Sequence, residues 1–430
     1  MATPSPLRYL KLVGCLAASL VAAAGAVNWA TDPLGVFGTP LVAGVNARKP
    51  YLNHDRELAR FALAQRHCKT VKANNATDGL AGIFGNSRAE IGFNPEHEAF
   101  ARLNLSAFNH AIPGMTLATP ARQFHWLEAN GCLPQRAILG VDFFDFLGGR
   151  AGKPSDITQP PPQVNLPFLA TAMFSLSGVR DAFTTLSLQG QENAPELTSL
   201  GFNPLREYQQ EVATLGHYRL FRQRAEESYA RWGKRAKRLT TSEGEDSRDQ
   251  VALDDLLSTA VRNNVPVDLV VYPYHTELRF MAYQLGQQAL YEQWLRQLVV
   301  TATRHNGEWA KTHGPAASET LVRVWNFGTV TAETLEAIPR DGDRKTQLQR
   351  YWEAGHFKPA LGDAVLEKVL TGSAVTPRDT TRLPPNKTAD FGEEITPGNI
   401  EAVIAADRAA LLAAWRDQNS LRAEVQSLAR

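Results

Sequence analysis

Five short apolar runs punctuate the chain, at residues 80–84, 103–108, 136–141, 265–271 and 321–327. Runs of this length without polar alternation predict strands buried on both faces, as in a parallel sheet with helices between its strands. Segments suited to those helices lie at residues 55–72, 118–129 and 284–304. Two more are predicted, over residues 361–370 and within 399–430, where Ala and Leu dominate. The pattern is that of an α/β domain of three layers, with a parallel five-stranded central sheet. Active residues are then expected in loops at the carboxyl ends of the strands.

The interval 143–264 is too long for an ordinary crossover. It begins with Pro154, Pro160, Pro161, Pro162 and Pro167, an irregular connector, and continues as a polar, helix-compatible stretch. Its most basic part, residues 219–238, is interrupted by Glu226 and Glu227 and reads chiefly as a solvated helical face. The interval is predicted to be a long helical insertion or cap. Residues 31–142 and 265–371 then form the two parts of one α/β domain, and 372–430 a carboxyl-terminal loop and helix.

The amino terminus has a different pattern. Arg8 and Lys11 precede an uncharged run over residues 12–27, followed by Asn28 and Trp29. With its flanks the run is long enough for a signal anchor over residues 1–30, its basic end held in the cytoplasm and residues 30–430 sent across the membrane. The small residues Ala22-Ala23-Ala24-Gly25-Ala26 also suit cleavage of a signal peptide, and a buried helix is the third reading.

Composition changes this picture little. Lys plus Arg total 45 against 44 Asp plus Glu, so nothing in the overall charge draws the chain to nucleic acid. Of three cysteines only Cys68 and Cys132 lie in the body, where either a disulfide or two thiols fits an exported protein. Ten histidines show no metal-ligand spacing, and no residue pattern asks for a cofactor.

The candidate chemistry is concentrated in two places. Gly82-Ile83-Phe84-Gly85-Asn86-Ser87-Arg88 puts a hydroxyl just beyond a predicted strand, and Tyr351-Trp352-Glu353-Ala354-Gly355-His356 puts a carboxylate three residues before an imidazole. Ser87, His356 and Glu353 are thus candidates for nucleophile, base and the group that orients the base. After the next strand, Gly114 can bring a backbone N–H toward an oxyanion, and Asn109 can donate an amide or shape the loop. Asp142 and His275 each end an apolar strand. Asp142 is a candidate to orient Arg88 or the substrate, and His275 to line the acceptor site.

With these blocks the chain resembles the SGNH/GDSL superfamily, in particular the exported, membrane-anchored proteins that accompany MBOAT acyltransferases in bacterial polysaccharide O-acetylation. The resemblance rests on residues 83–88, 109–114, 139–144, 272–275 and 351–357. It implies a flavodoxin-like SGNH fold, with Ser87 as nucleophile, Gly114 as oxyanion glycine and Glu353 with His356 as the closing acid-x-x-His motif. The superfamily usually has Asp where this chain has Glu353, and often Asp where it has Asn86. The Gly-x-Asn-Asp block is absent, which leaves a second side-chain oxyanion donor unassigned. The implied partners are an MBOAT membrane acyltransferase and a polysaccharide or other glycan acceptor. The implied location is the bacterial inner membrane, single-pass with the body in the periplasm. A secreted or anchored carboxylesterase would use the same residues, and a noncatalytic assembly partner would not use them chemically.

Overall fold

The structure, a computed structural model, describes residues 6–52, 56–73, 79–148, 157, 164–313, 320–372 and 391–429. Its strands in chain order are β1 (Lys49–Pro50), β2 (Gly79–Phe84), β3 (Leu105–Asn109), β4 (Arg136–Val141) and β5 (Glu196–Leu197). They continue with β6 (Val267–Val271), β7 (Val322–Asn326), β8 (Tyr351–Glu353), β9 (His356–Phe357) and β10 (Glu393–Glu394). The chain falls into two compact units, residues 1–67 with 162–207 and residues 68–161 with 208–430.

The larger unit is built on a six-stranded sheet in the order β10-β7-β6-β4-β2-β3. Its five long strands are parallel, and β10 adds two residues antiparallel to the β7 edge. Those five are the five apolar runs of the sequence, displaced by no more than two residues at either end. Counted along the chain they lie 2-1-3-4-5, so the direction of winding reverses between β2 and β4. In doubly wound sheets that reversal opens a crevice beyond the strand ends.

Helices Ala118–Ala129, Arg248–Arg262 and Gln288–His313 pack in succession, while Pro359–Thr371 packs on the short helices Ser87–Gly92 and Glu98–Arg102. The result is a mixed α/β fold, a mostly parallel sheet flanked by helices, consistent with three layers. Within this sheet β6 carries a buried carboxylate: Asp268 accepts from Arg136 of β4 at 2.9 Å and from Arg323 and Trp325 of β7 at 2.8 and 3.1 Å. A carboxylate in that position is tolerable only because donors surround it.

The smaller unit packs helices Leu166–Phe174 and Leu176–Leu188 on Pro6–Thr31, and pairs β1 with β5. Helix Pro6–Thr31 is long and apolar enough to cross a membrane. Its carboxyl end is closed by the buried Lys49, whose Nζ donates to the carbonyls of Thr31 and Asp32 at 3.3 and 2.7 Å.

These units divide the chain differently from the partition at 30, 142, 264 and 371. Residues 162–207 fall in the amino-terminal unit, and Arg248–Arg262 packs on Ala118–Ala129 and Gln288–His313 in the larger one. The helix expected over residues 284–304 is Gln288–His313, starting four residues later because Gly286 turns the chain at φ +71° after the preceding helix Thr276–Gln284. The last helix is split, into Ile400–Asp417 and Asn419–Ser427. Cys68 and Cys132 form a disulfide. Most of the proline-rich connector and most of the tail at 377–397 lie outside the described residues.

Candidate active site

Ser87 is the first residue of helix Ser87–Gly92, three residues beyond the end of β2. Gly85 makes the turn at φ +145°, and a Cβ there would run into the Tyr272 hydroxyl and Ala89. Asn86 caps the helix, its Oδ1 accepting the Arg88 N–H at 3.1 Å. Its Nδ2 donates to Asp142 and Asp145, each at 3.3 Å. The serine is therefore set at the switch of the sheet by a strand end, a glycine and a capped turn.

The histidine arrives on a two-stranded ribbon in which β8 and β9 pair antiparallel and Glu353 stands opposite His356. His356 Nε2 lies 2.8 Å from Ser87 Oγ, and Nδ1 is hydrogen-bonded to Glu353 Oε1. The other carboxylate oxygen accepts the Gly355 N–H at 2.6 Å. Burial pushes the Glu353 carboxyl up, but the opposing charge of His356, the bonds from His356 and Gly355, and Arg224 together hold it below its ordinary value. An ionised carboxylate only accepts, so the proton belongs on Nδ1 and Nε2 is left to accept from the Ser87 hydroxyl. Glu353 is buried, whereas Ser87 and His356 are half-buried and open to a reactant.

Two glycines bring ribbon and helix together. A Cβ on Gly92 would collide with the Phe357 ring, and one on Gly362 with the Gly92 carbonyl. Phe357 follows His356 directly, so this close approach sets the distance between imidazole and hydroxyl.

No family model, curated protein or solved structure matches this chain. The remaining candidate residues are thus judged by their surroundings. Arg88 makes an ion pair with Asp142, and its guanidinium lies over the Tyr274 ring at 5.5 Å. Burial lowers the proton affinity of Arg88, but Asp142 and its neighbours raise it further, so its charge is secure. Asp142 also accepts from Tyr274 at 3.0 Å and caps helix Phe143–Phe146 through the Phe144 N–H at 3.1 Å. The ion pair holds the Arg88 guanidinium against Asp142.

Asn109 and His275 are different. Asn109 is buried, its Nδ2 donating to the carbonyls of Ala89 and Phe93, both at 2.9 Å, and its Oδ1 accepting the Ala111 N–H at 3.0 Å. It shapes the loop and ties β3 to the serine helix, with no amide hydrogen turned toward an oxyanion. His275 is fully buried and does not line an open acceptor site. Its Nδ1 accepts the Glu277 N–H at 3.2 Å and its Nε2 donates to the Glu336 carbonyl at 2.8 Å. Burial pulls its pKa down to about 4, so the ring is neutral and structural. Gly114 lies exposed in a left-handed turn at φ +72°, with open space where a Cβ would stand. Its loop is bonded to the serine turn by the Ile112 N–H, which donates to Gly85 at 3.2 Å.

Several supports were not singled out from the sequence. The Glu336 carboxylate accepts three consecutive N–H groups where the chain enters the ribbon, from Gln349, Arg350 and Tyr351, at 2.6, 3.0 and 3.1 Å. His217, within the interval read as a cap, bridges the ribbon, its Nδ1 donating to the Trp352 carbonyl at 3.1 Å and its Nε2 accepting the Leu348 N–H at 3.2 Å. Neither carries a local motif; only packing reveals them. Among the described residues no group of three or more His, Cys, Asp or Glu could hold a metal ion.

Proposed function

We propose that this protein performs serine-dependent acyl transfer, acetyl being the group the family resemblance suggests. The observation that carries the reading is the continuous chain Glu353–His356–Ser87, with the imidazole 2.8 Å from the hydroxyl. The 2-1-3-4-5 order of its parallel strands is the flavodoxin-like one and supports an SGNH-type fold, in which Ser87 stands at the switch of winding.

In this reading Ser87 Oγ attacks the carbonyl carbon of an acyl ester while its proton passes to His356 Nε2. The charge that develops on the carbonyl oxygen is met by the N–H groups of Ser87 and Gly114. His356 returns the proton to the departing alcohol, and the acyl group remains on Ser87. An acceptor hydroxyl then gives its proton to His356, attacks the acyl carbon, and releases Ser87 with its proton restored. Glu353 holds the imidazole tautomer throughout and stabilises the imidazolium.

The acceptor we propose is a hydroxyl of an extracytoplasmic polysaccharide, and the donor an MBOAT-type membrane protein that delivers the acyl group across the bacterial inner membrane. Support comes from helix Pro6–Thr31, which would anchor the chain in the membrane beside such a donor with its body in the periplasm. If water replaces the sugar hydroxyl, the same residues make an esterase.

The test uses the full chain in detergent, wild type beside Ser87→Ala, treated with an activated acetyl ester and separately with a fluorophosphonate. Acyl or phosphonyl adducts on Ser87 in the wild type, absent from the variant, support the reading. A folded wild-type protein that forms neither adduct leaves the noncatalytic partner as the better account. Adding short glycans to the acetylated protein separates transfer from hydrolysis.

A further inference from the structure

Helices Leu166–Phe174 and Leu176–Leu188 form a hairpin that packs on Pro6–Thr31. From Val164 to Val179 the hairpin contains no charged residue. Its apolar side chains are nonetheless outside: Leu166 is 78% exposed, Leu176 88% and Phe174 51%. A tip of this kind in water would be an unexplained apolar patch.

Its polar groups are satisfied from within. Asn165 Oδ1 accepts the Phe168 N–H at 2.9 Å, Thr171 donates to the Pro167 carbonyl at 3.0 Å, and Ser175 Oγ accepts the Gly178 N–H at 3.0 Å. Ser177 bonds Ser175 at 2.8 Å. The carbonyl of Met173, near the end of the descending helix, accepts from Asn28 Nδ2 at 2.8 Å. Such closure is what a segment outside water requires, because hydrocarbon supplies no partner.

The level of the tip follows from the helix it touches. A Cβ on Gly25 would meet the Phe174 ring, so the tip lies beside Gly25. At about 1.5 Å per residue, Gly25 is about 20 Å along the helix from Leu12, the first residue beyond Lys11. The hydrocarbon core is about 30 Å thick, so Gly25 stands inside it, nearer the face opposite the amino terminus. Leu166–Phe174 would descend about 14 Å to reach that level. Arg180, 73% exposed on its side chain, follows the uncharged stretch at a level suited to the headgroups.

We infer that this hairpin enters the phospholipid leaflet opposite the amino terminus, beside Pro6–Thr31, giving the chain a second membrane contact. The inference takes Pro6–Thr31 as a membrane span, so the experiment includes a reference within that helix. The full chain carrying Cys15→Ala is reconstituted into phosphatidylcholine nanodiscs, with a nitroxide placed singly at Leu20, Phe174, Leu176 or the exposed Glu192. Retained fluorophosphonate labelling of Ser87, or failing that an intact Cys68–Cys132 bond and an unaltered unfolding transition, checks that each protein is folded.

Labels at Phe174 and Leu176 are expected to collide with oxygen and lose collision with a water-soluble nickel chelate, as at Leu20, whereas Glu192 does the reverse. Nickel access at Phe174 and Leu176 equal to that at Glu192 overturns the inference. So does protection of both from oxygen and nickel alike, which would mark a face covered by protein. Nickel access at Leu20 would remove the span itself, a failure visible apart from the hairpin.

Discussion

The serine and the histidine are held in unlike ways. Ser87 sits where β2 of a buried sheet gives way to a capped helix, and its position follows from the backbone path through Gly85 and Asn86. His356 and Glu353 ride on a ribbon of three residues against two, too short to be stable alone. Distant groups hold that ribbon: Glu336 and His217 on its approach, and the contact of Gly92 with Phe357 at its far side. A nucleophile can be fixed by local chain geometry, but a base carried on so short a ribbon needs tertiary support.

Removing each partner chemically gives the largest effects. Ser87→Ala is expected to abolish adduct formation and lower esterase turnover by at least about a thousandfold, measured with an activated ester. Glu353→Gln keeps the shape of the ribbon but removes the charge that sets the tautomer. Its rate should fall on the order of 10²–10⁴-fold with the fold intact, read by turnover and thermal unfolding together. If Glu353→Gln retained full turnover, the ribbon would be a support for His356 and nothing more.

A pH series probes the ground on which the ribbon rests. His275 has a folded pKa of about 4 against an ordinary 6.5, because burial disfavours its cation. The unfolded chain therefore binds the proton first, and stability is lost as pH falls from 6.5 toward 4, by about 3 kcal/mol in all. Glu277 runs the other way: burial, and then the charge of Glu353, push it up to about 8 from 4.5. Its contribution is complete below 4.5 and is lost as pH rises toward 8, again about 3 kcal/mol by neutrality. Between pH 4.5 and 6.5 the two trends oppose and nearly cancel, so denaturant midpoints should fall chiefly above pH 6.5, and Glu277→Gln should flatten that alkaline side and uncover the acid loss from His275. An unchanged alkaline slope in that variant would remove Glu277 from the account.

The sequence made the sheet legible because its parallel strands are largely apolar on both faces, so each appears as a short apolar run even where Asp268 or Arg323 interrupts it. Ser87 and the Glu353–His356 pair were legible for a related reason, being bound to a strand end and to a spacing of three. The roles of Asn109 and His275 were open because a polar residue at a strand end can face a cleft or close a helix, and only its partners decide. The hairpin Leu166–Leu188 and the brace from His217 lay within one interval that has no period-two or buried-run signal. Their assignment to different units depends on which surfaces they meet, information that no local window contains.

The smallest change aims at the join between the two supports. Gly92→Ala adds one methyl group against the Phe357 ring, which is buried and flanked by Phe93 at 5.4 Å between centroids. The ring cannot retreat freely, so overpacking should cost about 1–3 kcal/mol of stability. Since Phe357 is bonded to His356, part of that strain should appear as a longer imidazole-to-serine separation and a lower kcat, with KM little changed. Phe357→Leu alone leaves a small cavity, but combined with Gly92→Ala it should recover stability and rate relative to Gly92→Ala. A double-mutant cycle with no coupling between the two positions would show that the ribbon is registered elsewhere, through Glu336 and His217 alone.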